Sequence, residues 1–301
     1  MASAQGFRQL DGRKPIRLYN CRCLYCGKPF GKGEKRMTEH VIGRRFVPRG
    51  HFNGQWNLIV NACRSCNTTK SDLESETSAI TVQADAWGRH PENDAVLKQE
   101  ASRKGRSVRS TRTGKPVSVS QETVTVEFPV VPGVSLKMNL TTAPLLDENR
   151  AFHLAWYHIA GFFYLITYKK DKLRGVRWPG EFMPLTIVRE SDWGNSLMRS
   201  FQELVLPWDY RVRGIAASGY FGVGIRKSPD PRDLWSWALE WNRTYRLIGF
   251  IGSREAARDA AKALAWPQKH THHVGADSWS VRAESRLPDE DDRLFAPPNE
   301  E

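Results

Sequence analysis

Beyond residue 66 the chain contains no cysteine, and its first seventy residues contain almost no acid. Five cysteines in 301 residues, all in the first quarter, exclude a disulfide framework that staples the whole protein. The N-terminal stretch MASAQGFRQLDGRK lacks the apolar segment of a secretion signal, so the expected setting is the reducing cytoplasm. Long apolar runs are nearly absent too. Only Ala151–Tyr168 is free of Asp, Glu, Lys and Arg over 18 residues; it stands alone and carries His153 and His158. It reads as a buried aromatic-rich helix, with no membrane partner expected. What is plentiful is positive charge and aromatic surface. Lys and Arg outnumber Asp and Glu by 45 to 33, a net charge of +12, which excludes a generic acidic enzyme surface and points to a polyanionic partner. Eleven Trp and thirteen Phe exclude disorder of the chain as a whole.

The charge and the cysteines occupy the same place. Residues 1–70 hold 14 Lys and Arg against 3 Asp and Glu, a net of +11, leaving +1 for the other 231 residues. Cys23/Cys26 and Cys63/Cys66 form two C-x-x-C pairs, the spacing that lets two tight turns present four thiolates to one zinc ion. In a module this small the metal substitutes for part of a core. Cys21 is the spare: a free or packed thiol, or a replacement for Cys23.

The coarse organisation is α+β. Residues 1–97 form a zinc-stapled module with a basic N-terminal arm, and within it Asn67–Ile80 reads as a helix. Residues 98–121, almost without large apolar side chains and rich in Arg and Lys, read as a basic linker. Residues 122–283 read as one larger α+β domain. Thr123–Leu140 alternates around Pro132-Gly133 as a hairpin, Arg213–Ile225 and Thr244–Ile251 look like strands, and Ser196–Leu206 and Ser253–Leu264 look like helices, the last capped by Ser253. Trp235, Trp237 and Trp241 read as core, and His270, His272 and His273 as a solvated loop. Residues 284–301, acidic and proline-rich, read as a disordered tail able to compete with DNA for the basic module.

Zinc does not explain Glu39-His40, Asn57 or Asn67, which lie between and beside the cysteine pairs. Glu39-His40, then Asn57-Leu58, then Cys63-x-x-Cys66-Asn67-x-x-Lys70 resembles the HNH nuclease family, whose fold is the ββα-metal (His-Me) finger. The resemblance covers about Cys23–Leu73, a sixth of the chain. It departs from the family at Glu39, where Asp is more usual, and at Asn67, where many members have His. The resemblance implies hydrolysis of a phosphodiester bond. His40 would take a proton from water, and Glu39 and Asn67 would offer oxygen ligands to Mg²⁺ or Mn²⁺. Asn57 would hold the His40 loop. Lys70 would face a phosphate or pair with an acid, and Arg44, Arg45, Arg49 and Arg64 would bind backbone phosphates. His51 is a weaker candidate for substrate contact.

The expected activity is therefore a metal-dependent endonuclease on double-stranded DNA that nicks as a monomer. The two-part layout looks like bacterial defence nucleases, whose second domain would recognise a partner protein, a DNA feature or a ligand. Two rivals remain open: a zinc-containing nucleic-acid-binding module without catalysis, and a nuclease directed to RNA.

Overall fold

The structure is a computed structural model that describes residues 6–31, 35–85, 87–121, 123–131, 134–141, 143–268, 270–274, 277–281 and 283–297. The N-terminal part contains strands β1 (Arg8–Leu10), β2 (Ile16–Arg17), β3 (Arg36–His40) and β4 (Leu58–Cys63), then helices α1 (Arg64–Thr81) and α2 (Ala95–Ser107). Next come the hairpin β5 (Thr123–Val131) and β6 (Val134–Thr141), helix α3 (Glu148–Thr167), strand β7 (Glu181–Arg189) and helix α4 (Ser196–Val205). Strands β8 (Asp209–Ala216), β9 (Phe221–Lys227), β10 (Leu234–Trp241) and β11 (Tyr245–Gly252) precede helix α5 (Arg254–Lys262) and a final pair, β12 (His270–Val274) and β13 (Asp277–Val281). The Pro132-Gly133 turn lies outside the described residues, but its flanking strands pair antiparallel as the alternation predicts. The α+β expectation holds.

The larger sheet runs in the order β1-β8-β9-β10-β11-β7, antiparallel except for β1 against β8. Both of its faces are covered, so its central strands are apolar on both sides. Along β10, Trp235, Trp237, Leu239 and Trp241 face α3 and the N-terminal module, while Leu234 and Ala238 face α4 and α5. The strand period of two sends alternate residues to opposite layers, and the three tryptophans are core as their spacing predicts. Asn195 and Ser253 cap α4 and α5 by accepting from the backbone N–H of Met198 and Ala256.

The apolar run expected as a buried helix is α3, which passes through the middle of the molecule. No helix among the described residues is long and apolar enough to cross a membrane. Gly161 lets α3 approach the module: a Cβ there would sit 2.4 Å from Val41 Cγ1. A mid-helix glycine costs about 1 kcal/mol relative to alanine, and this close approach is what it permits.

Three boundary expectations are corrected. The arm is not free, because β1 adds to the edge of the C-terminal sheet, with Leu10 opposite Gly214. The segment 98–121 is not a tether. Most of α2 lies in it, and Lys104, 5% exposed, donates to the carbonyls of Phe46 and Val47 at 3.1 and 3.3 Å and to Ser78 Oγ at 2.5 Å. Composition misled because the segment's sparse buried apolar residues, among them Ala101 and Val117, suffice once Lys104 and Glu100 are satisfied internally. The part of the tail described here is docked. Leu294 and Phe295 are buried in the apolar cluster that holds Phe250, and Asp292 pairs with Arg246. Lys104→Met should therefore destabilise the protein by about 2 kcal/mol in urea denaturation, because buried carbonyls lose their donor. A freely tethered segment would give no change.

Candidate functional site

Strand β4 pairs antiparallel with β3, placing His40 opposite Ile59 and Arg36 opposite Cys63, and it runs directly into α1. This is a ββα unit, with β2 added parallel to β4. Cys63 ends β4 and is the N-cap residue of α1, so Cys66 lies on the first helical turn. The helix therefore starts at Arg64, three residues before the sequence reading places it. Asn67 therefore lies inside the helix, on its first turn.

The part that could hold a metal ion is a four-cysteine cluster. The sulfurs of Cys23, Cys26, Cys63 and Cys66 all lie within 4.8 Å of one another. Cys26 Sγ and Cys63 Sγ are 3.7 Å apart. Tetrahedral zinc with Zn–S bonds of about 2.3 Å requires sulfurs about 3.8 Å apart, so the donor set and spacing fit a structural zinc ion. Gly27, at φ +74°, turns the first pair back so that its N–H donates to Cys23 O at 2.9 Å. Cys21 is exposed and outside the cluster.

Beside the cysteines, the residues that zinc leaves unexplained gather around the end of β3. Asn57 Nδ2 donates to Ile42 O at 2.7 Å, and Ile42 N donates back to Asn57 Oδ1 at 3.4 Å. Both partners are buried, so this amide fixes the loop that leaves His40. His40 is half-buried, and its Nε2, itself buried, has no hydrogen-bond partner among the described residues. Burial first, then the charges of Arg44 and Lys70, lower its pKa below the ordinary imidazole value. The ring is thus neutral at pH 7 and can accept a proton. Asn67 is partly exposed; Arg44, Arg45, Arg49 and Arg64 are exposed. His51 instead packs edge-on to Tyr220, with ring centroids 4.8 Å apart.

Two expected roles do not fit. Lys70 is 1% exposed and cannot reach a phosphate. Its ammonium lies 2.8 Å from Glu39 Oε1 and 2.6 Å from Glu74 Oε1, and it donates to His40 O at 3.0 Å. Burial works against its charge, but the two carboxylates outweigh it and raise the pKa. Of the two roles open to Lys70, pairing with an acid is the one found. Glu39 is 4% exposed and also accepts from Tyr25 Oη at 3.1 Å. Burial raises its pKa despite Lys70. A carboxylate enclosed in this way is not open to a hydrated Mg²⁺ or Mn²⁺ ion, so Glu39 does not fit as a ligand. In an antiparallel ladder neighbouring residues point to opposite faces, so Glu39 and His40 do not share one.

Sequence reasoning missed Tyr25, Glu74 and His158. Glu74 Oε1 accepts from Gly43 N at 2.8 Å and lies 3.4 Å from His158 Nε2 of α3. The four-residue step from Lys70 to Glu74 is a helix-pair signal that could have found it. His158 carried no signal beyond being polar within an apolar run. Burial lowers the pKa of His158 to about 4 against the pull of Glu74. For Glu74, burial is outweighed by Lys70 and His158, and its pKa is lowered.

This gives a pH prediction. Between pH 6.5 and about 4 the unfolded imidazole takes up a proton that folded His158 refuses, so the contribution is present above pH 6.5 and is lost as the pH falls. It should amount to about 3 kcal/mol by pH 4. His158→Gln should lack that part of the pH slope in urea denaturation; equal slopes for the two proteins would refute it.

No family model, no curated protein and no solved structure matches the chain.

Proposed function

We propose that the chain is a DNA endonuclease of the HNH type, hydrolysing phosphodiester bonds with His40 as general base and a four-cysteine zinc ion as a structural staple. The observation that carries this reading is the neutral imidazole of His40 at the end of β3, its Nε2 without a partner among the described residues, on a loop held by Asn57 within a ββα unit. Exposed Arg44, Arg45, Arg49 and Arg64 flank it in sequence and supply phosphate contacts. In this reading His40 removes a proton from the attacking water, and Asn57 keeps the His40 loop in one conformation while it does so. A divalent cation, Mg²⁺ or Mn²⁺, would offset charge on the scissile phosphate when bound. With Glu39 engaged by Lys70, Asn67 is the protein oxygen left to hold that ion, and Mg²⁺ commonly keeps several waters. One such centre per chain cuts one strand, so the product of a monomer is a nick. Double-stranded DNA is the proposed substrate and bacterial anti-phage defence the proposed setting, with the larger C-terminal domain the proposed contact for a partner protein.

One observation favours the rival binding module: the enclosed Glu39 removes the expected carboxylate ligand. Supercoiled plasmid incubated with the zinc-loaded full chain and titrated Mg²⁺ or Mn²⁺ separates the two. Nicked circles that disappear with chelator support the nuclease; retardation of the plasmid without nicking supports the binder. Cleavage of RNA but not plasmid would redirect the substrate.

A further inference from the structure

His158 is 0% exposed and sits among aromatic rings, edge-on to Phe46, Phe221 and Trp241 at centroid distances of 5.4, 5.2 and 5.7 Å. An apolar side chain would fill such a cage without the cost of burying a polar ring. What an apolar side chain cannot supply is a donor to Glu74. The Nε2 of His158 faces Glu74 Oε1 at 3.4 Å, whereas its Nδ1 has no partner. A carboxylate acceptor fixes the proton on Nε2.

Glu74 in turn holds the segment that carries His40. Its Oε1 accepts from Gly43 N, three residues past His40, and from Lys70, which also donates to His40 O. There is no slack between them: a Cβ on Gly43 would lie 2.2 Å from Glu74 Oε2. The backbone that follows the His40 side chain, at the carbonyl of residue 40 and the N–H of residue 43, is thus tied directly or through Lys70 to one carboxylate, and that carboxylate is oriented from α3. The charged groups around it are Lys70, Glu39 and Glu74 itself; on the α3 side His158 is the group within reach.

We infer that His158 is a positioning residue for the proposed nuclease centre: through Glu74 it sets the backbone of the His40 loop, and so makes the larger domain part of that centre. The inference rests on the nuclease reading. A role in packing alone predicts that an apolar replacement is harmless to whatever molecules fold.

The test uses the full zinc-loaded chain as wild type, His158→Met and His158→Gln, each checked for one bound zinc and assayed well below its melting temperature. Glutamine can place an N–H near the Nε2 position; methionine fills space without a donor. His158→Met should lower kcat for plasmid nicking about tenfold, the scale of a small misplacement of a reacting group, with KM within about twofold of wild type. Amide hydrogen exchange across residues 41–45 should quicken in the same variant. His158→Gln should recover most of both. Wild-type kcat and wild-type exchange in His158→Met would overturn the inference, as would a glutamine variant no better than methionine. If the wild type nicks with neither metal, the nuclease reading fails instead. The exchange measurement then still decides whether His158 holds the loop.

Discussion

His40→Ala should abolish plasmid nicking, with a loss of about 10²- to 10⁴-fold, the contribution of a positioned general base. The magnitude follows from how little else near this loop can accept a proton. Glu39 is engaged by Lys70 and Tyr25, and Glu74 by Lys70 and Gly43. His51 packs against Tyr220. The variant should fold, because the loop is held by its backbone: Asn57 grips Ile42, and Lys70 takes the carbonyl of residue 40 whatever its side chain. Unchanged zinc content and melting temperature alongside lost nicking would establish a chemical role. Equal nicking by variant and wild type would remove His40 from the mechanism.

Removing zinc should have the largest effect on stability. A structural zinc ion contributes on the order of 10–16 kcal/mol of apparent binding free energy in small modules, comparable with the ~5–15 kcal/mol that holds a whole domain folded. Cys26→Ser should therefore leave the chain without bound metal and lower its melting temperature sharply. The effect should reach the candidate site. Leu24 and Tyr25, between Cys23 and Cys26, are buried in the core, and Tyr25 Oη donates to Glu39. Loss of the first C-x-x-C turn would withdraw that donor and loosen the Glu39–Lys70 pair. Nicking and zinc content should fall together across a chelator titration; nicking that survives in fully zinc-free protein would show that the cysteines do not support the site.

The cysteine cluster was legible because short-range chemistry specifies it, and the ββα unit was an expectation that came with the HNH resemblance. Two C-x-x-C spacings leave few ways to arrange four thiolates, and Asn57 lies close enough in sequence to His40 to hold its loop. The roles of Lys70 and Glu39 were not legible, because charge alone does not tell an exposed ammonium from one enclosed by two carboxylates. The linker and tail were misread for a related reason. A polar segment packs if its few apolar residues meet a surface and its buried charges find partners, as Lys104 and Asp292 do.

By itself, the sequence determined local elements: which cysteines cluster, and that Ala151–Tyr168 forms a largely buried helix. These depend on spacing and on the free energy of removing apolar surface from water, both readable along the chain. Only the tertiary structure decided that β1 joins the distant sheet, that α3 touches Val41 through Gly161, and that His158 meets Glu74 across 84 positions. Such contacts depend on complementarity between surfaces that are remote in the chain, and no local pattern encodes which buried donor will meet which buried acceptor. That difference made two domains in sequence into one continuous core in space, with the candidate centre resting against both.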